Sequence, residues 1–372
     1  MKIIQILNSP NWSAASAYCI NVSAELIRLG HEVLLMTEPG KPMDQALSLG
    51  IPCDDKLRLN DESLLGLVKC TKHLKQVFKH FNPDIVSANI NKNSWLPALI
   101  AKKICPKATV VRVRSDIRPP NKHLGNVWLY HRWTDHIICS SQLHKNVCRK
   151  NLYLADDRIS VVYGCVDVEK FRPDASNGSF RKEIGASEDD FLVCLLGRLS
   201  PVKGHEYALK AIASLTGLPQ NVKLVCVGYE QERTIEWLKN QAQNFGMSDR
   251  LIFVGKRNDL PSILASMDLG IITSIGSEAN SRATLEYMAS GKPVVSTRVG
   301  VIPELIVEGE TGFITEIHDT EAMAEKIKYL ALNPEICKQM GIASRKRIEE
   351  HFVLKQFGLE TEKVYKKLLE AK

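Results

Sequence analysis

The sequence predicts an α/β protein built from two doubly wound, parallel-sheet domains, and three observations carry that prediction. Short, nearly continuous apolar runs alternate with longer amphipathic stretches, the pattern of parallel strands covered by helices on both faces. The pattern occurs as two separate series. Between them, the stretch Val162–Arg172 ("VYGCVDVEKFR") holds a glycine-containing turn suited to a junction. At 372 residues the chain is long enough for each domain to bury a core of its own.

The first series opens with the strand Lys2–Leu7 and the helix Ala15–Leu29, which Gly30 stops. Strands follow at Glu32–Thr37, Asp84–Ala88, Thr109–Val113 and His136–Ser140. Within this series "LLGLVKCTKHLKQVFKHF" (Leu64–Phe81) reads as a helix with Leu64, Leu67, Val68, Leu74, Val77 and Phe78 as its core stripe. Lys69, Lys72, His73, Lys79 and His80 crowd another face, which suits either water or anionic headgroups. The second series has strands at Phe191–Gly197, Lys223–Gly228, Leu251–Gly255, Leu269–Thr273 and Pro293–Thr297. The expected domains are therefore 1–165 and 166–355. Residues 356–372 form an amphipathic helix, with Phe357, Thr361, Val364, Tyr365, Leu368 and Leu369 at helical spacing. That helix covers its own domain or crosses back to the first.

Composition is that of an ordinary globular protein, with 44% hydrophobic residues and no low-complexity tract. No stretch approaches a membrane span, and the N-terminal apolar run is too short for a secretory signal. The ten cysteines are scattered without a C-x-x-C pair, which favours reduced thiols over a disulfide scaffold or zinc site. The expectation is a cytoplasmic protein. Charge is uneven: residues 1–165 carry 22 Lys and Arg against 13 Asp and Glu, whereas residues 166–372 carry 27 against 29. A basic first half suits an anionic partner or a membrane surface, and equally a solvated face. Nucleic acid has only this charge in its favour, without aromatic interleaving or a known motif.

The chemistry concentrates in "SEANSRATLEYMASGKPVV", which places Glu278 before a helix and Glu286 inside it. Ser281 is the expected N-cap and Gly291 the stop. Eight helical residues would rise about 12 Å, roughly the reach from a sugar past two phosphates to a ribose. Carboxylates accept from paired sugar hydroxyls, and the amides around Asn280, Ser281, Arg282 and Ala283 favour phosphate. Taken alone, the spacing is also that of a solvated loop acid and a surface helix acid. A second element is "GRLSPVKG" (Gly197–Gly204), a strand-to-helix loop in which Arg198 and Lys203 can converge on a pyrophosphate. They would steady a departing nucleoside diphosphate as its charge grows. This loop is not a P-loop, because the G-x-x-x-x-G-K-[ST] order is missing.

In this order the motifs resemble family 4 glycosyltransferases of the retaining, GT-B type, including bacterial surface-glycan and lipopolysaccharide-core enzymes. The E-x7-E element is Glu278…Glu286, and the likeness extends through "VVYGCVDVEKFRP", "VGKRNDLPSILASMDLGI" and "GKPVVSTRVGVIPELIVEGETGFI". The resemblance implies two Rossmann-like domains facing across a cleft, the second holding a nucleotide sugar and the first a glycan or glycolipid acceptor. It implies Glu278 on donor-sugar hydroxyls, Glu286 on the ribose, and Arg198 with Lys203 on the diphosphate. It implies front-face transfer with retention and no metal or other cofactor beyond the nucleotide-sugar co-substrate. The chain has no D-x-D triplet, which agrees with that last point. UDP-sugars are the favoured donors, with GDP- and ADP-sugars as alternatives, and a peripheral place at the inner face of the plasma membrane is compatible.

Departures from the family pattern are specific. The turn after the first strand has Ala14 and Ala15 where glycines are common, and Ala allows less close backbone approach; the loop Ser13–Ser16 still opens a helix and is a candidate lining of the cleft. The sugar-side loop reads Glu278-Ala279-Asn280-Ser281, so Asn280 can add a hydrogen bond and shift sugar selectivity. Many members have a histidine where "VVRVRSDIRPP" places Asp116, which can orient an acceptor or pair with Arg114 or Arg118. Arg112, Arg114 and Arg118 are candidates for a phosphorylated acceptor, with strand alternation turning one away. Asn89 and Asn91 occupy another strand-end loop. Rival readings are a GT-B nucleotide-sugar epimerase, which needs no acceptor, and a non-catalytic nucleotide-sugar-binding protein. A nicotinamide dehydrogenase is disfavoured by the absence of G-x-G-x-x-G after the first strand.

Overall fold

In the computed structural model, residues 1–61, 63–89, 95–115, 118–176, 178–218, 221–276 and 278–371 are described. The chain forms two units, Met1–Cys165 with Leu354–Lys372, and Val166–Val353. Among the described residues, the first unit holds strands β1 (Lys2–Leu7), β2 (Glu32–Thr37), β3 (Cys53–Asp54), β4 (Ile85–Ala88), β5 (Thr109–Arg114), β6 (His136–Cys139) and β7 (Ile159–Val161). The second holds β8 (Phe191–Leu196), β9 (Val222–Val227), β10 (Leu251–Gly255), β11 (Leu269–Ile272), β12 (Val294–Thr297) and β13 (Gly312–Thr315).

Each unit is one parallel sheet, in the orders β3-β2-β1-β4-β5-β6-β7 and β10-β9-β8-β11-β12-β13. Both orders run outward from a first strand in one direction and then resume on its other side. That reversal makes a topological switch point between β1 and β4, and another between β8 and β11. Parallel strands need crossovers, and the intervening helices cover both faces, which is why most of the strands are predominantly apolar.

Alternate residues of a strand serve opposite layers. Ile4 and Ile6 pack with Val86, Val110, Leu74 and Phe78, while Ile3 packs with Val111, Tyr18, Leu26, Phe357 and Tyr365. The second layer is completed by the last helix, Leu354–Glu370, which returns to the helix Ala14–Arg28 of the first unit. In the second unit Val193 and Leu195 pack with Leu209 and Ile212 of the helix His205–Ala213, and with Met323 and Ile327 of the helix Thr320–Leu332.

The helix Leu64–Phe81 forms as predicted, but its buried stripe is Gly66, Cys70, Leu74 and Phe78. Leu64 and Val68, expected in the core, stand exposed together with Leu65. The reason is rotational: a stripe four residues apart at Gly66–Phe78 centres the buried face away from both.

Candidate active site

In a doubly wound sheet, the loops that leave adjacent strands at the switch point splay to opposite sides and open a crevice. In the second unit those loops follow β8 and β11, and they carry Arg198, Lys203 and Glu278. The sequence-predicted cations and acid are therefore neighbours because of strand order.

Two backbone contacts fix the geometry. Gly204 adopts φ +64°, and a Cβ there would lie 2.1 Å from the Thr273 carbonyl oxygen. The Thr273 hydroxyl donates to the Lys203 carbonyl at 2.9 Å, and the Ile275 amide donates to that of Val202 at 3.0 Å. The β8 and β11 loops are thus joined backbone to backbone. From the far side, Gly300 at φ +56° would put a Cβ 2.0 Å from the Glu278 carbonyl oxygen, which the Val301 amide bonds at 2.8 Å. Only glycine permits both the positive φ and the close approach.

Glu278 is 3% exposed, and its Oε1 accepts from Lys203 Nζ at 2.5 Å and from Ser274 Oγ at 2.6 Å. Glu286 is 4% exposed, and its Oε1 accepts from Arg282 Nη2 at 2.7 Å, an i,i+4 pair on the helix Arg282–Ala289. Neither acid is a solvated surface group. Burying a carboxylate is costly without a cation and hydrogen bonds, and each of these has its own cation. Arg198 is half-buried, and its Nε has no hydrogen-bond partner among the described residues. A buried guanidinium donor left in that condition is costly, which marks a place for an anion.

Ser281 occupies the N-cap position but does not act as the expected cap. Its backbone is left-handed at φ 37°, and its hydroxyl meets Thr284 Oγ1 at 2.9 Å with no bond to a first-turn amide. The amides of Arg282, Ala283 and Thr284 therefore lack a side-chain cap from Ser281 at the positive end of the helix. Asn280 is buried just before it.

Sequence reading missed Ser274 and His205. Ser274 had a signal, a hydroxyl directly after a strand end beside the acidic loop. His205, the first residue of its helix, is buried with neither ring nitrogen partnered among the described residues. Burial, aided by the charge of Lys203, pushes its pKa down to about 4. Among the described residues no cluster of three or more His, Cys, Asp or Glu is placed to hold a metal ion.

In the first unit, Ser13 caps the helix Ala14–Arg28, its hydroxyl accepting from the Ser16 amide at 3.1 Å, with Ala14 and Ala15 in the opening turn. These residues follow β1 and Asn89 follows β4, so they flank that sheet's own switch point. Asn89 Nδ2 donates to Gln5 Oε1 at 2.7 Å, which ties it into the buried sheet end. Arg112 and Arg114 are both buried and both meet Tyr130: the Arg112 guanidinium lies 4.7 Å from its ring, and Arg114 Nη1 donates to its hydroxyl at 3.3 Å. Two residues apart on a strand, they share a face instead of diverging. Arg114 also binds the Arg118 carbonyl at 2.6 Å. Asp116 and Asn91 lie outside the described residues.

Two family models match the chain, Glycosyltransferase Family 4 over residues 15–170 and Glycosyl transferases group 1 over residues 176–347. The chain is 30% identical over 208 residues to N-acetyl-alpha-D-glucosaminyl L-malate synthase of Bacillus anthracis, a match covering 56% of this chain and 53% of that one. It is 27% identical over 273 residues to UDP-Gal:alpha-D-GlcNAc-diphosphoundecaprenol alpha-1,3-galactosyltransferase of Escherichia coli, covering 69% and 70%. The match thus spans about half the length of the first relative. Among solved structures, a glycosyltransferase from Rickettsia africae ESF-5 is similar with a TM-score of 0.88 at 20% identity, covering 100% of this chain and 99% of that one. Anabaena Alr3699/HepE in complex with UDP-glucose is similar with a TM-score of 0.82 at 22% identity, covering 99% and 100%. These likenesses are of fold, two Rossmann-like parallel-sheet domains of the GT-B type. With one glycosyltransferase model over each half of its length, the chain belongs to the family 4 glycosyltransferases.

Proposed function

We propose that this protein is a metal-independent, retaining glycosyltransferase. It moves a sugar from a nucleotide-sugar donor, a UDP-sugar in the first instance, to a glycan or glycolipid acceptor in surface-polysaccharide or lipopolysaccharide assembly. The observation that carries the reading is the switch-point cluster: buried Glu278 held by Lys203 and Ser274, beside the unpartnered Arg198 Nε and a helix start without its side-chain cap. HepE, of the same fold, has been solved with UDP-glucose.

In this reading the donor diphosphate takes Arg198 and shares Lys203 with Glu278. The Glu278 carboxylate accepts from donor-sugar hydroxyls, and Glu286 accepts from the ribose. The acceptor oxygen attacks the anomeric carbon on the face the diphosphate leaves. The carbon–phosphate oxygen bond breaks, the new glycosidic bond forms, and the acceptor proton passes to the departing phosphate oxygen. Arg198 and Lys203 stabilise the charge that builds there, the task a metal ion performs elsewhere. Asp116, Asn89 and Arg114 belong to the acceptor side. The excess of positive charge in the first half suits an anionic membrane surface that presents a glycolipid.

Calorimetric titration with UDP, GDP, ADP and NAD tests this, repeated on Glu286→Ala and Arg198→Ala. One nucleoside diphosphate should bind, and each substitution should weaken it at least tenfold. NAD binding alone, or binding indifferent to both changes, would overturn the reading. Donor isomerised without any acceptor would indicate the epimerase instead.

A further inference from the structure

The helix Leu64–Phe81 presents a face that its unit does not cover. Its buried residues recur every four positions, Gly66, Cys70, Leu74 and Phe78, and define the side toward the sheet. At 100° per residue the opposite side carries Leu65, Val68, Lys69, Lys72, Lys75 and Lys79, with Leu64 at its edge. Leu64 is 82% exposed, Leu65 72% and Val68 63%, and all four lysines are exposed. Three aliphatic side chains so open, clustered in one turn, are not the scattered surface leucines of a typical protein.

Charge on this face has one sign. No Asp or Glu occurs between residues 64 and 81. None of the four lysines makes an ion pair with a described residue. Among the described residues, the acids nearest the helix already have partners. Asp54 takes His73 at 2.8 Å, and the exposed Asp61, at the start of the helix, accepts from the Ser63 hydroxyl at 2.6 Å, lies against Gly66 and reaches Lys69 electrostatically. Protein interfaces are depleted in lysine. A nucleic-acid site would not place three aliphatic side chains at its end. A stripe of lysines running about 22 Å from an apolar tip matches an acidic lipid surface.

We infer that this face docks on an anionic bilayer, with Leu64, Leu65 and Val68 entering the headgroup–acyl boundary and Lys69, Lys72, Lys75 and Lys79 over acidic headgroups. The inference deepens the membrane part of the proposed function and is independent of the donor.

Co-sedimentation tests it, with vesicles of phosphatidylcholine alone and of phosphatidylcholine mixed with phosphatidylglycerol. Four proteins are compared: the unaltered chain; Leu64→Ser with Leu65→Ser; Lys69, Lys72, Lys75 and Lys79→Gln; and, as a charge-matched control in the same unit, the exposed Lys41, Lys56, Lys103 and Lys150→Gln. The unaltered chain should bind the mixed vesicles and not the neutral ones. Each face lysine should contribute about fivefold to that affinity, and the leucine pair roughly tenfold. The control should lose far less than the face variant. Equal losses from the two quadruple variants would overturn the docking face and leave membrane association standing. Failure of the unaltered chain to bind would overturn both. A leucine variant that changes oligomeric state and not vesicle binding would assign the face to a second copy and overturn the inference.

Discussion

The Lys203–Glu278 pair shows how one side chain ties stability to the site. Glu278 is buried, and Lys203 is its only cation at hydrogen-bond distance among the described residues. Lys203→Met would leave a buried carboxylate with Ser274 alone, at a cost of about 3 kcal/mol by the usual toll of breaking such a pair. Adding Glu278→Gln should recover most of that loss, because a neutral amide needs no cation. Chemical denaturation of both variants measures this; a double variant as unstable as the single one would mean that Lys203 matters for packing. Neither variant should regain transfer activity. The sequence disclosed these two residues through their motifs. It did not disclose their burial, which depends on Gly204 and Gly300 closing the backbone around them, contacts 69 and 22 positions away along the chain. Ser281 illustrates the same limit. Its residue type favours a cap, yet a left-handed backbone turns its hydroxyl to Thr284.

At the scale of elements, the C-terminal helix Leu354–Glu370 is the piece whose placement decides the first unit. Phe357 meets the Tyr18 ring edge-on at 4.6 Å, Glu362 accepts from His31 at 2.8 Å, and Tyr365 is buried in the same layer. The two helices touch most closely at Gly358, where a Cβ would lie 2.6 Å from the Glu25 Cβ. Gly358→Val must push them apart, so it should destabilise the first unit by about 2 kcal/mol. Limited proteolysis should then release the last helix first; a variant cut no faster than the parent would contradict this contact. The amphipathic period made the helix visible in sequence, and its close approach to Glu25 was not. Strands were legible where they are long: Lys2–Leu7, Glu32–Thr37 and Leu251–Gly255 form with the predicted ends. Missed were β3, β7 and β13. Two of them have only two or three residues, too few for a pattern, and β13 opens on a glycine whose side is closed by the Val294 carbonyl. Leu64 and Val68 misled because apolar type alone cannot say which side of a helix meets the sheet.

Across the whole molecule, each unit carries a buried histidine whose pKa is pushed far down, and together the two set a common acid limit. His205 in the second unit and His136 in the first both have pKa values pushed down to about 4. Burial is the main cause for both; the charge of Lys203 adds to it at His205, and that of Arg158 heads the further causes at His136. His136 Nε2 is held by Ser160 Oγ at 2.8 Å, so its ring is fixed as well as dry. In the unfolded chain both regain an ordinary pKa near 6.5. Between about pH 6.5 and 4 the unfolded state therefore binds more protons than the folded one, and stability rises with pH across that window. Above it the histidine contribution is complete; on acidification it is lost progressively, about 2 kcal/mol per histidine by pH 5. Stability measured by denaturant titration at pH 7 and pH 5 should show that difference. His205→Leu should remove one share of the pH dependence and His136→Gln the other, the glutamine retaining a partner for Ser160. Were the difference between the two pH values the same in both variants as in the parent, carboxylates and not these histidines would govern the acid limit. Because the two residues sit in separate units, their effects should add, which the double variant checks directly.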